Sequence, residues 1–391
     1  MKSKYLHATG DIGHARHASP MRQSRHSMLK PVIVLLLSVG MLLGVPAESI
    51  GSDTAASGKG ESLQPLVKAK TDGRKEVIRA DDKKTISTPA ATAKSQPAQQ
   101  SAGSRHIIEM AGEETEDGLL AYRMVSHRID GVDVTSRYSP QATIPGPTIV
   151  LTEGDKVRLT IRNAVNTRPE QQISVHVHGV HYTILSDGTL KIINRVEDEG
   201  AHPQHGTGGR FYTYLWDVAP GTAGTWPYHD HNFETHNGSE DRGLFGTVIV
   251  NPASGAVAAS NGSSASSVSI QDIRKDYVLY LADDAFWGME IDSATKRQTP
   301  LGVNPALTAG GGEYVRFHLI AMGTYLNRFR LEGYRWLEPG TTQLIQAKNI
   351  GPLENHAFTI KALNSASYVN ENFSRRLMGM RGSFNVTHGT P

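Results

Sequence analysis

From Arg105 onward the chain is a succession of short runs in which apolar and polar residues alternate, cut by Gly, Pro and Asp. Ile149-Val150-Leu151 and Val157-Arg158-Leu159-Thr160-Ile161 are strand-like, with the turn Glu153-Gly154-Asp155 between them. Ile173–Val180, Phe211–Val218 and Leu244–Val250 follow the same rule, and no long stretch of 3.6-residue periodicity interrupts them. Alternation with a period of two puts one face of each run into a core, and many short runs at this spacing predict β-sandwiches. A second strand-rich block spans about Ile273–Val386, with Val278–Ala282, Tyr314–Ile320, Asn327–Leu331, Gln343–Ile345 and Ala357–Ala362 as its best strands.

The flanking composition gives the expected organisation. Val32–Val45 is apolar, is preceded by Arg22, Arg25 and Lys30, and is followed by Val45-Pro46-Ala47. It is short for a span of ~20 apolar residues, so residues 1–47 read as an export signal, or as a membrane anchor where cleavage fails. Residues 48–104 are rich in Ser, Ala, Thr, Gln, Lys and Gly and read as a disordered tether. The sandwiches are then expected over 105–252 and 271–391, joined by a Ser/Ala/Gly-rich linker at 253–270. On this reading the folded part is periplasmic or secreted.

A net charge of +2 gives no reason to expect nucleic acid as a partner. The absence of cysteine excludes disulfides, thiolate nucleophiles and a blue copper centre, which needs a cysteine thiolate. The chemistry-bearing feature is instead histidine: eight lie between His176 and His236. Two pairs stand out, His176-Val177-His178 and His229-Asp230-His231. Residues i and i+2 of a strand share a face, so neighbouring strands would converge four imidazoles, good ligands for copper, zinc, iron or nickel. A solvated histidine-rich face is the plain alternative.

These residues carry a family resemblance. Ile144-Pro145-Gly146-Pro147-Thr148-Ile149 with Glu153-Gly154-Asp155 resembles the opening of a multicopper oxidase domain. His176-Val177-His178-Gly179-Val180-His181-Tyr182 with Ser186-Asp187-Gly188-Thr189 resembles the first copper motif of the bacterial two-domain small laccases. Gly224-Thr225-Trp226-Pro227-Tyr228-His229-Asp230-His231 with Arg242-Gly243-Leu244-Phe245-Gly246 resembles the second. The resemblance implies an all-β fold of two cupredoxin-like (plastocyanin-like) Greek-key sandwiches and copper as the cofactor. It makes His176, His178, His229 and His231 the first-domain half of a trinuclear copper site. It places Tyr182 and Asp187 beside that site as candidate catalytic groups. His181, His202, His205 and His236 read as residues at the rim or behind the ligands, or as simply exposed ones. The resemblance implies a homotrimer in which the neighbouring subunit completes the cluster.

The second half departs from the family pattern. Where the family has a His-X-X-His-X-His-Gly strand, this chain has Asn327, Arg330 and Glu332 before Gly333. Where the family has its last ligand run, this chain has Val369, Asn370, Glu371 and Arg375, with Met380 alone retained. Arg330 and Arg375 are expected either to repel metal or to pair with Glu332 or Glu371. Four readings stay open on the sequence. One is an exported copper-binding homologue without laccase activity as a lone chain. Another is a subunit of a mixed oligomer with an intact paralogue, acting on a small phenolic or metal-ion substrate. The third is a metal-free structural protein. A zinc hydrolase is a fourth, with only Asp187 or Asp230 available as a base.

Overall fold

The computed structural model describes residues 103–166, 171–190, 210–231 and 243–388. The expected signal, nearly all of the tether, and His202, His205 and His236 lie outside them. The described residues form a nearly all-β structure of two sandwiches.

In the first sandwich, the five-stranded sheet runs in the order Val132–Asp133, Leu120–Ile129, Arg105–Glu114, Lys156–Asn163, Phe211–Asp217. The facing sheet has Thr148–Thr152, Phe245–Asn251, Gly224–His229 and His176–Val177. Alternation explains the core: Val157, Leu159 and Ile161 point inward from one strand and meet Val248, Val250, Val175 and Trp216. Phe245–Asn251 is buried at all but its last residue because its second face is covered as well.

The second sandwich pairs a seven-stranded sheet with a five-stranded one. The larger runs Ala265–Ser269, Ala256–Ser260, Asn355–Lys361, Tyr314–Ala321, Ile273–Leu281, Phe286–Asp292, Gln298–Val303. The smaller runs Leu307–Gly310, Arg381–Thr387, Ala366–Asn370, Asn327–Leu331, Ala347–Ile350. Its core is aromatic, with Trp336 stacked on Phe358 at 4.2 Å and Phe317 stacked on Phe358 at 5.1 Å.

Two expectations change. Residues 253–270, expected as a linker, include the antiparallel pair Ala256–Ser260 and Ala265–Ser269, and Ala259-Ser260 pairs in parallel with Thr359-Ile360. Small residues suffice there because the pairing is made by backbone hydrogen bonds, with Ala259, Ser260 and Val268 alone buried. Ile173–Val180, expected as one strand, is regular only at His176–Val177.

The second face of Phe245–Asn251 is covered by the larger sheet. Phe245 and Ile249 pack with Val278, Tyr280, Met289, Ile291 and Ile320 in one buried cluster. Polar groups cross the same seam. Thr148 N–H donates to Gln298 Oε1 (2.8 Å), and Gln298 Nε2 donates back to Thr148 O (2.5 Å). Thr225 Oγ1 meets His318 Nδ1 at 2.5 Å.

Candidate metal centre

His176–Val177 pairs antiparallel with the end of Gly224–His229, and the register sets His176 directly opposite His229. The hydrogen bond from His178 N–H to Pro227 O (3.0 Å) carries the alignment one step past the strand end. Two histidines that are distant in sequence are therefore fixed side by side by backbone pairing. His176, His178 and His229 each place a ring nitrogen within 4.8 Å of the others. His231 lies in the same ring cluster, 5.1 Å from His176 and 5.6 Å from His229 between centroids, but outside that trio of ligand atoms.

Hydrogen bonding sets the tautomers of two of these rings. His176 Nδ1 lies 3.0 Å from Asp187 Oδ1. Burial pushes the Asp187 carboxyl up, but bonds from Thr189 and His176 outweigh it and hold it below its ordinary range. An ionised carboxylate only accepts, so His176 carries its proton on Nδ1 and turns Nε2 to the cluster. His229 Nδ1 lies 2.9 Å from the carbonyl oxygen of Asp230, which also only accepts. His229 therefore also carries its proton on Nδ1. Burial first, then the neighbouring His229, hold the His176 imidazole below its usual range, against the pull of Asp187, and so keep it in the neutral form that metals need.

This is a ligand set that fits a first-row metal. A ligating imidazole anchors its other N–H on a carboxylate or a backbone carbonyl, as both rings do here. The Nε2 atoms of His178 and His229 are 3.2 Å apart, a spacing open to two nitrogens each ~2 Å from one ion.

The surroundings hold this geometry. Asp230, part of the second motif and an available base on the sequence, is buried, and its Oδ1 accepts from Ser174 N–H at 2.5 Å. It ties the two histidine segments together. Gly179 has φ +72°, and a Cβ there would sit 1.9 Å from Trp226 Cδ2, so the turn after His178 is closed against the indole. Tyr182 stands edge-on to His176 with ring centroids 6.3 Å apart, and burial raises its pKa. His181 is exposed, and its backbone bridges Asp217.

The second sandwich repeats this frame with other side chains. Arg330 pairs with Val369 and Leu331 with Tyr368, as His176 pairs with His229 and Val177 with Tyr228. Gly382 packs on the Tyr368 ring as Gly246 packs on Tyr228. Arg328 N–H donates to Asn370 Oδ1 (3.1 Å) as Ser174 N–H donates to Asp230. The positions equivalent to His176, His178, His229 and His231 are thus Arg330, Glu332, Val369 and Glu371. Arg330 bonds Glu371 at 3.0 Å, one of the expected pairings, and Arg328 joins it at 2.9 Å. Arg375 pairs instead with Asp283 (3.3 Å) and stacks on Tyr325 at 4.3 Å. Asn370 Nδ2 donates to Asn327 Oδ1 (2.7 Å) and lies 3.5 Å from Met380 Sδ, so the methionine is packed as core.

Fold and site together define a cupredoxin-type fold with a histidine cluster that could hold a metal in its first sandwich. Residues 127–255 match the family model described as multicopper oxidase. A Kuenenia stuttgartiensis protein described as a probable nitrite reductase–hydroxylamine oxidoreductase fusion is 28% identical over 264 residues, 63% of this chain. This chain matches 28% of the length of that curated relative. Among solved structures, a copper nitrite reductase from Nitrosomonas europaea aligns at 15% identity over 72% of this chain and 94% of its own, with a TM-score of 0.49. A multicopper oxidase aligns at 19% identity over 72% and 89%, with a TM-score of 0.47.

Proposed function

We propose that the chain is an exported copper-binding multicopper oxidase homologue. On this reading His176, His178, His229 and His231 hold copper, and the chain alone lacks laccase activity. The observation that carries the reading is the three-histidine cluster, with its tautomers set by Asp187 and the Asp230 carbonyl. Copper bound there would supply one-electron redox chemistry. The protein's part is to hold the ligands: Asp187 orients His176, Asp230 locks the two segments, and Tyr182 shields one edge. The chain has no cysteine to build the thiolate centre that feeds single electrons to a cluster. The equivalents of the four ligands in the second sandwich are an ion-paired arginine, two glutamates and a valine.

The test is metal content per chain after purification with copper, read beside an absorption spectrum. The expected result is about one or two coppers without an intense blue band, falling toward zero in His178→Ala and His229→Ala. Near-zero copper in the wild-type chain overturns the reading.

A second reading has its own support in the half-set of ligands. The chain would be one subunit of a trimeric assembly whose partner, an intact paralogue, supplies the missing histidines. Copper content and phenol oxidation that rise only on mixing with such a partner would favour it.

A further inference from the structure

Away from the histidine cluster, the first sandwich aligns a second set of polar side chains. His127 stands opposite Ile108 across the antiparallel pair Arg105–Glu114 and Leu120–Ile129. His106 is two residues before Ile108 and shares its face, so the two imidazoles are diagonal neighbours on the buried side of the sheet. The turn Thr135–Arg137 is pinned back onto the same strand, by His127 N–H to Thr135 Oγ1 (2.9 Å) and Val134 N–H to His127 O (2.8 Å). That sets the Tyr138 hydroxyl 2.7 Å from His127 Nδ1.

The bonds of this chain run one way. Asp155 is buried and accepts Ser104 N–H at Oδ1 (2.8 Å) and Thr152 N–H at Oδ2 (2.7 Å). An ionised carboxylate only accepts, so His106 Nε2 donates to Oδ2 (3.1 Å). With one proton on each ring, His106 Nδ1 is left to accept His127 Nε2–H (3.0 Å), and His127 Nδ1 to accept the Tyr138 O–H. Every proton points from the tyrosine toward Asp155. Burial holds the Tyr138 hydroxyl well above its ordinary range and is the main cause that holds His127 down to about 3. Neither a phenolate nor an imidazolium is therefore favoured here. An electron leaves this phenol most easily when its proton leaves too, and a relay that ends on Asp155 takes that proton without charging either ring.

Tyr138 also meets a cavity. The half-buried side chain lines a space of about 630 Å³ formed by Ser139 and Pro140 of the first sandwich with Gln298 and Thr299 of the second. Arg123 and Arg297 are the charged residues that line it, both positive, although Arg123 also holds Glu113 (2.9 Å). A cavity of that sign favours a small anion. We propose that Tyr138 is a redox-active tyrosine, which gives one electron to an anionic one-electron oxidant in this cavity while its proton enters the His127–His106–Asp155 relay. The O–H bond of Tyr138 breaks. Its electron reduces the oxidant by one unit, and its proton goes to His127 Nδ1. The proton on His127 Nε2 moves to His106 Nδ1, and the one on His106 Nε2 moves to Asp155 Oδ2. The products are a neutral tyrosyl radical, two neutral rings and a neutral carboxyl. The site needs no copper, so it stands apart from the function proposed above.

The probe is hexachloroiridate(IV), an anionic one-electron oxidant, mixed with metal-free full-length chain at pH ~8, above the ordinary histidine range. Oxidant loss is followed by stopped flow, and radicals are trapped by rapid freezing for electron paramagnetic resonance. The absence of cysteine removes thiol oxidation as a complication. Expected is a fast phase that yields a neutral tyrosyl signal and slows in deuterated water, because the proton moves with the electron. Tyr138→Phe, which keeps the ring, removes the fast phase and its signal. Tyr325→Phe, at a tyrosine that is 58% exposed, leaves both. His127→Phe keeps Tyr138 but removes its proton acceptor, and slows the phase roughly 100-fold, the size of a lost general base. Circular dichroism checks that each variant is folded. His178→Ala changes nothing. No fast phase in the wild-type chain overturns the proposal. So does a fast phase that survives Tyr138→Phe, keeps its speed in folded His127→Phe, or ignores deuterium.

Discussion

Asp187 touches the candidate metal centre only through His176, whose Nδ1 it bonds while Nε2 is left to the cluster. Its carboxylate fixes the proton of His176 on Nδ1 at 3.0 Å, and only the carboxylate form does so without competition from a donor. Asp187→Asn offers either a carbonyl or an amine to that nitrogen and no longer dictates the tautomer. Copper affinity, measured by competition with a chelator of known strength, is expected to fall roughly 10–100-fold with the fold retained. Unchanged affinity would reduce Asp187 to a turn residue. The candidate ligands were readable in the sequence because His-X-His beside Gly is a local pattern. The role of Asp230 was not. Its neighbours in sequence are candidate ligands, but its partner, Ser174, lies 56 residues away and is brought to it only by strand pairing.

At the scale of single strands, the first sandwich buries histidines that have no part in the metal cluster. His106 and His127 sit on the adjacent strands Arg105–Glu114 and Leu120–Ile129 and form a polar chain. It runs from Asp155 to His106 (3.1 Å), on to His127 (3.0 Å), and ends at Tyr138 (2.7 Å). Burial is the main cause that lowers His127 to about 3, and His356 in the second sandwich lies at about 4. The unfolded chain titrates these rings near pH ~6.5. Both folded values are depressed, so above pH ~6.5 neither ring affects stability. As pH falls below that, the unfolded state takes up protons that the folded state refuses, and stability drops until the folded values are reached. The slope is up to ~1.4 kcal/mol per pH unit for each ring. Urea midpoints should therefore fall between pH 7 and pH 5, and His356→Gln should flatten the decline. A pH-independent midpoint would mean these rings are hydrated rather than buried. Alternation announced most of the strands themselves, since burying every second residue leaves its mark in any single strand. It could not announce the pair within 253–270, where Ala and Ser predominate and Ala259 and Val268 alone add a buried apolar side chain.

At the scale of the molecule, the two sandwiches share a seam that no local pattern encodes. Gln298 is typical: a polar residue on an edge strand that turns out to be 7% exposed, its amide satisfying both backbone groups of Thr148 from 150 residues away. Beside it, Phe245 and Ile249 bury themselves against Tyr280, Met289 and Ile320. This contact puts Phe245–Asn251 between the first core and the seam cluster, and that strand pairs antiparallel with the one that carries His229. The sandwich that carries the histidine cluster is thereby braced by the other one. Gln298→Leu keeps the volume and removes both hydrogen bonds, leaving a buried N–H and a buried C=O unmatched at ~1–3 kcal/mol each. The wild-type chain should unfold in one transition, with tryptophan fluorescence and far-ultraviolet circular dichroism coincident in urea. In Gln298→Leu the seam should open first, separating the two signals into distinct transitions at lower urea. Coincident transitions with an unchanged midpoint would mean that the apolar cluster alone carries the seam and that the Thr148 bonds add nothing. Copper retention gives the second readout. If the brace matters to the site, the variant should release copper at the first transition, before the larger loss of circular dichroism.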